Sequence, residues 1–535
     1  MTATHDAPAS GRPFDHIVVG GGAAGCVVAA RLTEDPDCRV LLLEAGPADS
    51  DPGITPPHGV FQLLRGELDW SYDTVAQPEL DGREIPISAG RTLGGGGAIN
   101  YQAWYRGHPL DYDHWAVQGM KGWGWQEVLP SFRRSEDHEL GSSALHGTGG
   151  PIPVGTPKDV NPLSLAFIAA GVEYGLPLNR DFNGAELDGV GLLYSNVRDG
   201  ERHSAARGYL RPAMTRPNLE VRTRAFVRRL AIDGDTVNGV EYVDTTGTSH
   251  VVHADSVVLS AGAVRTPQLL MLSGVGPADH LRRLGIDVVA HLPGVGANFQ
   301  DHPSALVSWP VVRGTTWLDA YTPASTARYA EQRRGALASI GQAGAFLRCG
   351  DNALAPDIQL TPMLIDLLTM QDPGLSCLVT LLVPESRGTV RLRSADPADN
   401  PVIDAAYFRD DADRRIAVAG IRAALELGAS PIMQSLIGPA RFPTATDDDS
   451  VLASLRASTI STNHPAGTCR SGVDDNAVVD PALRVHGLSG LRVIDASIMP
   501  TLPRGNTHAP SIMIGERGAE LILDETYAVT ETDQY

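Results

Sequence analysis

The sequence predicts a mixed α/β fold with two domains, one built on a parallel sheet and a second, α+β domain built on an antiparallel sheet. An apolar run at residues 17–19 ends in glycines, an uninterrupted helical pattern follows, and a second apolar run comes at residues 39–43. Strand–helix–strand order of this kind is typical of parallel sheets. Residues 304–455 instead show short alternating runs without a glycine-rich turn, which favours antiparallel pairing. The 535 residues also exceed what a single core usually supports.

Composition and charge restrict the partners. The formal net charge of -20 argues against nucleic acid or an anionic membrane as the partner, and no apolar run is long enough to cross a membrane. Residues 1–12 are small and polar without the pattern of a signal peptide, so we expect a disordered lead. The five cysteines are odd in number and show no metal-ligand spacing, which predicts reduced thiols, a cytoplasmic location and no metal site.

The first strand ends in a glycine turn that matches the dinucleotide fingerprint. Gly20 permits the tight strand-to-helix turn, Gly22 lets the backbone approach a pyrophosphate, and Gly25 lets the helix lie close on the sheet. The free amides at the helix start, around Ala23 and Ala24, can hold the anion together with the helix dipole.

The second strand supports the same interpretation. Residues 39–43 end in Glu44, about 20 residues beyond the turn, where a carboxylate accepts a ribose hydroxyl. Strand, turn, helix, strand and acid therefore predict a Rossmann-like dinucleotide-binding unit over residues 14–46.

Four consecutive glycines at residues 94–97 form a second unusual stretch. A flexible linker would be polar, but Leu93, Ile99 and aromatic residues flank this run. We therefore expect the backbone to approach a flat ligand closely at Gly94 to Gly97.

The later elements follow in order. Residues 218–230 predict one strand, Asn238-Gly239 a hairpin turn, and residues 240–243 the returning strand. After a buried strand at residues 256–262, Thr266 and Pro267 predict the start of a helix over 268–272.

The last section returns to the first domain, with a strand that ends in Asp495 and an amphipathic helix over residues 509–523. We assign residues 14–303 and 456–535 to the nucleotide-binding domain, with segments at about 60–200 contributing partly to the substrate side. Residues 304–455 form the predicted substrate-binding domain.

Two histidines carry the predicted chemistry. His464 and His508 lie at junctions rich in glycine and proline on either side of the Asp495 strand. A neutral imidazole can take an alcohol proton near neutral pH, while a cofactor must take the hydride. A nicotinamide and a flavin both fit the glycine turn. The position of the turn near the N-terminus, the second glycine run and the late acidic strand favour a two-lobed FAD.

These motifs together resemble the glucose-methanol-choline (GMC) oxidoreductase family. The resemblance rests on residues 90–100, on residues 262–276, on residues 294–303, and on His464-Pro465-Ala466-Gly467-Thr468 with Asn506-Thr507-His508-Ala509-Pro510. It implies that His464 is the catalytic base and that His508 completes a His-His pair. It also implies an FAD-contacting set: Gly20, Gly22, Ala23, Ala24, Gly25, Glu44, Ala45, Arg91, Gly94, Gly97, Asn100, Val227, Ala261, Asp495, Ala496 and Thr507.

Two positions depart from the family pattern. Some members link FAD covalently through a histidine just before the equivalent of Asn100. Ile99 stands there, which implies non-covalent FAD at that site. Ser471 stands where many members carry methionine, which bears on local packing rather than on the base.

The resemblance implies FAD-dependent oxidation of a small-molecule alcohol to an aldehyde or ketone, with electrons passing to dioxygen or another acceptor. The alternative is a lyase of the same fold that cleaves a cyanohydrin with the same histidines. The sparse charge near the motifs favours a neutral alcohol over a quaternary amine. The sequence leaves open the particular alcohol, the choice between oxidase and dehydrogenase, and the oligomeric state.

Overall fold

A computed structural model describes residues 14–532, with side chains described through Glu525. The disordered lead predicted for residues 1–12 lies outside the described residues. In chain order the strands are β1 Phe14–Val19, β2 Val40–Glu44, β3 Tyr72–Asp73, β4 Pro86–Ile87, β5 Glu136–His138, β6 Ile152–Val154, β7 Gly189–Leu192, β8 Val197–Arg198, β9 Glu201–Arg202, β10 Leu219–Thr223, β11 Phe226–Asp233, β12 Thr236–Val243, β13 Ser249–Leu259, β14 Val275–Gly276, β15 Ala290–His291, β16 Pro303–Pro310, β17 Ala343–Leu347, β18 Ile358–Met363, β19 Gly374–Leu381, β20 Thr389–Arg391, β21 Val402–Asp404, β22 Ile460–Ser461 and β23 Leu491–Val493.

The helices are mostly short. They are α1 Ala23–Leu32, α2 Val60–Leu63, α3 Gly96–Ile99, α4 Pro109–Val117, α5 Trp125–Ser135, α6 Pro162–Tyr174, α7 Arg211–Ala213, α8 Gly262–Leu272, α9 Ala278–Arg283, α10 Trp317–Ala320, α11 Pro323–Gln332, α12 Asp411–Gly428, α13 Pro431–Gln434, α14 Asp448–Ser458 and α15 His508–Thr532. Single turns of 3₁₀ helix lie at Pro57–Gly59, Pro78–Leu80, Ala336–Ala338 and Ala496–Ile498, and a π-helical turn at Ala206–Leu210. Among the helices of the described residues, none combines the length and apolarity needed to span a bilayer.

The parallel sheet contains the predicted strand–helix–strand unit. Its strand order is β10-β2-β1-β13-β12-β11, and β23 adds to β13. All pairings among β10, β2, β1, β13 and β23 are parallel. Strand β2 is buried along its whole length because helices cover both faces of a parallel sheet. Helix α15 packs on α1, where a Cβ at Gly515 would lie 2.9 Å from the Ala24 carbonyl oxygen.

Strands β11, β12 and β13 form an antiparallel meander beside the parallel strands. The turn that joins β11 to β12 includes Gly234, which has φ +63, and not the predicted Asn238-Gly239. Asn238 is instead the extra residue of a bulge inside β12. Strands β10 and β11 are also separate, because Arg224 between them has φ +56 and turns the chain.

The antiparallel sheet has the order β22-β16-β19-β18-β17-β7. Of the alternating runs expected within residues 304–455, those at β18 and β19 join this sheet, whereas β20 pairs with β21 in a separate two-stranded ladder. Strand β7 comes from the segment expected to contribute to the substrate side. Helix α12 packs on the face of the sheet that β16, β18 and β19 share. The boundaries at 304 and 455 stay a prediction.

The chain passes between the two sheets next to His302 and His464. Strand β16 begins directly after His302, and β22 pairs with it through Pro303 and Ser461. From β22 the chain runs through His464 back to β23 in the parallel sheet. His464 therefore lies on the connection between the antiparallel and the parallel sheet.

Candidate active site

One cavity extends from the opening glycine turn to the two histidines. It is lined by most of the residues predicted to contact a cofactor: Gly20, Gly22, Ala23, Ala24, Glu44, Ala45, Gly97, Asn100, Val227, Ala261, Asp495, Ala496 and Thr507. His464 and His508 line it as well. These residues come from nearly the full length of the chain, and the fold brings them to one space.

Three predicted residues lie beside the lining rather than in it. A Cβ at Gly25 would lie 2.0 Å from the Gly20 carbonyl oxygen, so Gly25 serves close packing of α1 on the turn. The Gly94 amide donates to the Gly21 carbonyl at 2.7 Å and joins the two glycine stretches. Arg91 lies over the Trp70 ring, 4.9 Å from its centroid.

The glycine turn has the geometry that the sequence predicted. Gly20 has φ +100, and a Cβ there would lie 2.5 Å from the Ser260 carbonyl oxygen. Gly22 is different, because a Cβ there would meet no protein atom closer than 3.8 Å. The protein's own packing therefore demands glycine at position 20, while at position 22 it leaves space that opens on the cavity.

Three helices begin at the cavity wall. Ala23 starts α1, Gly262 starts α8 and His508 starts α15, and all three residues line the cavity. Each helix start presents free amides and the positive end of the helix dipole. Their convergence creates a positive potential suited to an anionic ligand such as a pyrophosphate.

Glu44 lies under the turn with its carboxylate tied at both oxygens. Oε2 accepts from the Gly21 amide at 2.8 Å and Oε1 from the Gly46 amide at 2.7 Å. Burial raises the pKa of Glu44, and these two amide bonds oppose that rise. The carboxylate is thus fixed in place with lone pairs left for a ligand hydroxyl.

Asp495 also lines the cavity, but both oxygens of its carboxylate already accept hydrogen bonds from protein groups. Oδ2 accepts from the Gly262 amide at 2.9 Å and from the Thr266 hydroxyl at 2.6 Å, and Oδ1 accepts from the Ser497 amide at 2.8 Å. Asp495 therefore supplies a partner for the start of α8, which begins at Gly262 and not beyond Thr266 as the sequence suggested.

His464 makes three contacts that the sequence did not predict. Its Nδ1 lies 3.0 Å from Nδ1 of His302 and 2.9 Å from the Thr462 hydroxyl. Its Nε2 accepts from the Asn506 side-chain amide at 3.1 Å. Burial, and next the neighbouring His302, hold the pKa of His464 well below its ordinary value, so the ring is neutral at pH 7.

The buried carboxylate of Asp301 binds the backbone amides of His302 and His464. Asp301 Oδ1 accepts from the His302 amide at 2.9 Å and from the His464 amide at 2.8 Å. Its Oδ2 accepts from the hydroxyls of Tyr407 and Ser461. The His302 and His464 rings cross edge to face, with centroids 5.2 Å apart.

His508 approaches the second glycine run. A Cβ at Gly97 would lie only 2.5 Å from its Cε1, and its ring stands edge-on to Trp104. His508 Nε2 is buried and has no hydrogen-bond partner within the part of the chain that the structure describes. Burial, with a smaller contribution from Arg202, lowers the pKa of His508 to about 4. The site thus presents a second neutral imidazole with an unused ring nitrogen.

Arg202 is a buried cation behind the same stretch and was not predicted. Its Nη1 donates to the Asn100 carbonyl and side-chain oxygens at 2.6 and 2.7 Å, and its Nε donates to Ile54 at 2.8 Å. Burial lowers the pKa of Arg202 to about 9. The guanidinium fixes the turn that carries Gly97 and Asn100.

Within the described residues, one group has the spacing of metal ligands: His138, His146 and Asp181. Among the described residues, His138 Nε2 is buried without a hydrogen-bond partner, while the other three ring nitrogens are bonded. His138 Nδ1 accepts from the Leu140 amide at 3.3 Å, and His146 bonds Asp181 at 2.8 Å and the Arg106 guanidinium at 3.0 Å. Because a metal needs free ring lone pairs, these hydrogen bonds favour a structural network here.

Comparisons with known proteins place this cavity in a family context. Family models described as GMC oxidoreductase match residues 14–304 and 384–515. The chain is 39% identical to alcohol dehydrogenase (acceptor) of Pseudomonas putida, over 95% of this chain and 96% of that protein. It is 39% identical to mitochondrial choline dehydrogenase of Homo sapiens, over 95% of this chain and 89% of that protein. A solved structure of formate oxidase from Aspergillus oryzae RIB40, which concerns modification of its FAD, superposes with a TM-score of 0.91 at 29% identity, covering 97% of this chain and 99% of that chain.

Proposed function

Because this chain belongs to the GMC oxidoreductase family, we propose that it oxidises a neutral alcohol to an aldehyde or ketone with non-covalently bound FAD. His464 accepts the hydroxyl proton in this proposal. One observation carries it: a neutral imidazole with a donor at its Nε2 lines the same cavity as the dinucleotide turn.

The residues present fit FAD. Protein packing leaves open space beside Gly22, and also beside Gly96, where a Cβ would meet nothing within 4 Å. Both glycines line the cavity, so a ligand explains them better than the protein does. The turn and Glu44 would hold the adenosine and pyrophosphate end, and Gly97 and Asn100 the ring end. Ile99 offers no nucleophile for a covalent link, so acid precipitation should release the FAD intact.

When bound, FAD supplies the acceptor for the hydride that leaves the alcohol carbon. The protein's own contribution is the proton transfer. In this structure the Asn506 amide donates to the lone pair of His464 Nε2 at 3.1 Å. With substrate bound, that amide donates to the substrate oxygen instead, which orients the alcohol and frees Nε2 to take the hydroxyl proton. His508 Nε2, which has no hydrogen-bond partner among the described residues, offers a second polar contact in the same cavity.

The charges of the cavity favour a neutral substrate. Within the part of the chain that the structure describes, the lining carboxylates are Glu44 and Asp495, and both are bonded to backbone amides. Of the lining aromatic rings, Trp70 and Phe226 already hold the Arg265 guanidinium, at 4.3 and 4.9 Å from their centroids. The other lining rings are Tyr72, which stacks on Trp70, and Tyr101. Because a quaternary ammonium is held best by several aromatic faces or a free carboxylate, we expect choline to be a poorer substrate than a neutral alcohol despite the choline dehydrogenase relative.

Anaerobic reduction of the flavin tests the proposal. We expect the FAD-loaded protein to lose its yellow colour with an aliphatic or aromatic primary alcohol, and His464→Ala to slow this step by about 10²- to 10⁴-fold. His280→Ala is the matched control, because His280 accepts a backbone hydrogen bond outside the cavity. A wild-type rate in His464→Ala would remove His464 from the chemistry. Cyanohydrin cleavage without any bleaching by alcohols would favour the lyase.

A further inference from the structure

We propose that His302 is a positioning residue that fixes the proton of His464 on Nδ1, so that Nε2 keeps its lone pair for the substrate. The inference rests on the proposed role of His464 as the base. It is carried by a chain of contacts from a backbone carbonyl through two imidazoles, and each step follows from which atoms can donate.

The chain starts at Leu382. His302 Nε2 lies 3.0 Å from the Leu382 carbonyl oxygen. A carbonyl oxygen only accepts, so His302 Nε2 carries a hydrogen. A neutral imidazole has one N–H, which leaves Nδ1 of His302 as an acceptor.

The second step crosses between the rings. Nδ1 of His302 and Nδ1 of His464 are 3.0 Å apart, and one of the two must donate. Because His302 Nδ1 is the acceptor, His464 Nδ1 carries the hydrogen and its Nε2 is bare. His302 thus uses Nε2 to donate to the Leu382 carbonyl and Nδ1 to accept from His464, which fixes the tautomer of His464.

Two further contacts agree with this assignment. The Thr462 hydroxyl donates to the His302 carbonyl at 2.8 Å, so its oxygen faces His464 Nδ1 as an acceptor. On the other side of the ring, the Asn506 amide donates to Nε2. His464 therefore meets acceptors at Nδ1 and a donor at Nε2, as a bare Nε2 requires.

The competing arrangement is a doubly protonated His302 that donates to His464. Burial lowers the pKa of His302 to about 4, which excludes the imidazolium near pH 7. The titratable groups next to the pair are Asp301 beneath both backbones and Tyr407, whose hydroxyl is held by Asp301. That carboxylate meets the two backbone amides rather than the ring nitrogens.

The consequence for the reaction is twofold. In the absence of His302, the hydrogen of His464 can move to Nε2, and that tautomer cannot accept the substrate proton. When Nε2 does accept it, the Nδ1–H bond to His302 stabilises the positive charge that forms on His464. Both effects act on the rate of proton transfer and little on substrate binding.

Two substitutions separate polarity from packing. Gln in His302→Gln offers an amide oxygen and an amide NH₂ that can accept from His464 and donate to Leu382, whereas Leu in His302→Leu fills similar volume without either group. We expect His302→Gln to reduce flavin within about threefold of wild type. We expect His302→Leu to slow it about 30- to 100-fold, less than the about 10²- to 10⁴-fold expected for loss of the base itself, with KM changed less than about threefold.

Nitrogen NMR of the FAD-loaded, ¹⁵N-histidine-labelled protein gives a readout independent of turnover, with His464→Gln to assign the signals. The expected result is an N–H on Nδ1 of His464 in wild type and His302→Gln, and loss of that preference in His302→Leu. A hydrogen on Nε2 in wild type would overturn the proposal, as would equal rate losses in both variants. If no alcohol reduces the flavin, the proposed function fails, while the tautomer still decides the role of His302. If His302→Leu does not fold, the wild-type spectrum alone decides it.

Discussion

Gly97→Ala adds one methyl group at the point where the second glycine run touches His508. A Cβ at this position would lie 2.5 Å from His508 Cε1 and 3.3 Å from both ring nitrogens. Gly97 belongs to the short helix α3, where alanine is a better helix former than glycine. The backbone therefore tolerates the substitution, and its effect falls on the imidazole.

The size of the effect follows from the overlap. Carbon atoms pack at about 3.5–4.0 Å, so the His508 ring must move by roughly 1 Å or more. Trp104 stands edge-on to that ring, with centroids 6.0 Å apart, and limits how it can move. A misplacement of about 1 Å can lower a rate about 100-fold. We therefore expect flavin reduction to slow by about that factor, and overpacking to cost about 1–3 kcal/mol of stability.

The assay is a double-mutant cycle on the anaerobic rate of flavin reduction. If the methyl group acts by displacing His508, Gly97→Ala should change the rate less than about threefold in a His508→Ala background. Gly96→Ala, measured on the cofactor-free protein, serves as the stability control, since its Cβ meets no described protein atom within 4 Å. A full rate loss in the His508→Ala background, or no loss in Gly97→Ala alone, would refute the reasoning.

Two further predictions concern the other end of the cavity and the effect of acid. Glu44→Gln should weaken FAD binding at least about tenfold in a reconstitution titration, because the new NH₂ group must face one of the two backbone amides that now donate to the carboxylate. Glu34→Gln, at an exposed position, is the control, and equal affinities of the two variants would contradict the role of Glu44. The free energy of unfolding of the cofactor-free protein should fall as the pH drops from 6.5 to 4, because unfolded histidines take up protons at an ordinary pKa of about 6.5 while burial holds the pKa values of His302 and His508 at about 4. His302 and His508 should each account for about 3 kcal/mol of this loss of unfolding free energy between pH 6.5 and 4. In urea titrations, His302→Gln should therefore reduce the pH-dependent loss by about 3 kcal/mol.

The opening unit was predictable because its determinants are local. Gly20, Gly22 and Gly25 lie within six residues of one another, and each acts on its own turn or on the helix directly after it. The acid at Glu44 follows at the end of the adjacent parallel strand, whose register with β1 is fixed by two short apolar runs. Pattern, turn chemistry and charge all point to the same local structure there, and the structure confirms it.

One failed prediction depended on a residue far away in sequence, and the other on how neighbouring strands pair. Thr266 has the chemistry of a helix cap, but Asp495, more than two hundred residues later, provides the partner that lets α8 begin at Gly262. Asn238-Gly239 has the composition of a hairpin turn, yet the chain turns at Gly234 and accommodates Asn238 as a bulge. Local propensity proposes such features, and tertiary pairing decides between them.

His302 was passed over for the same reason, although it stands in a segment that resembles the family. Its proposed role depends on a contact with His464, 162 positions away, and sequence spacing cannot predict such a contact. Asn506 lies two residues before His508 in the same motif, yet its side chain contacts His464. Residue types show which side chains can form hydrogen bonds, but only the folded structure shows which partner each side chain has.

Among the described residues, no strand of the antiparallel sheet lines the cavity, yet the register of this sheet sets the geometry of the proposed base. Pro303 in β16 pairs with Ser461 in β22, which places the residues just outside the ladder, His302 and Thr462, side by side. A shift of one residue in this pairing would send the side chains to opposite faces and break the contact between His302 and His464. The turn that would bind the cofactor belongs to the parallel sheet, and the hydrogen bonds that would activate the base belong to the antiparallel one. The reaction therefore depends on both sheets keeping their relative position, and changes at the β16–β22 pairing should act on the rate even where they leave FAD binding intact.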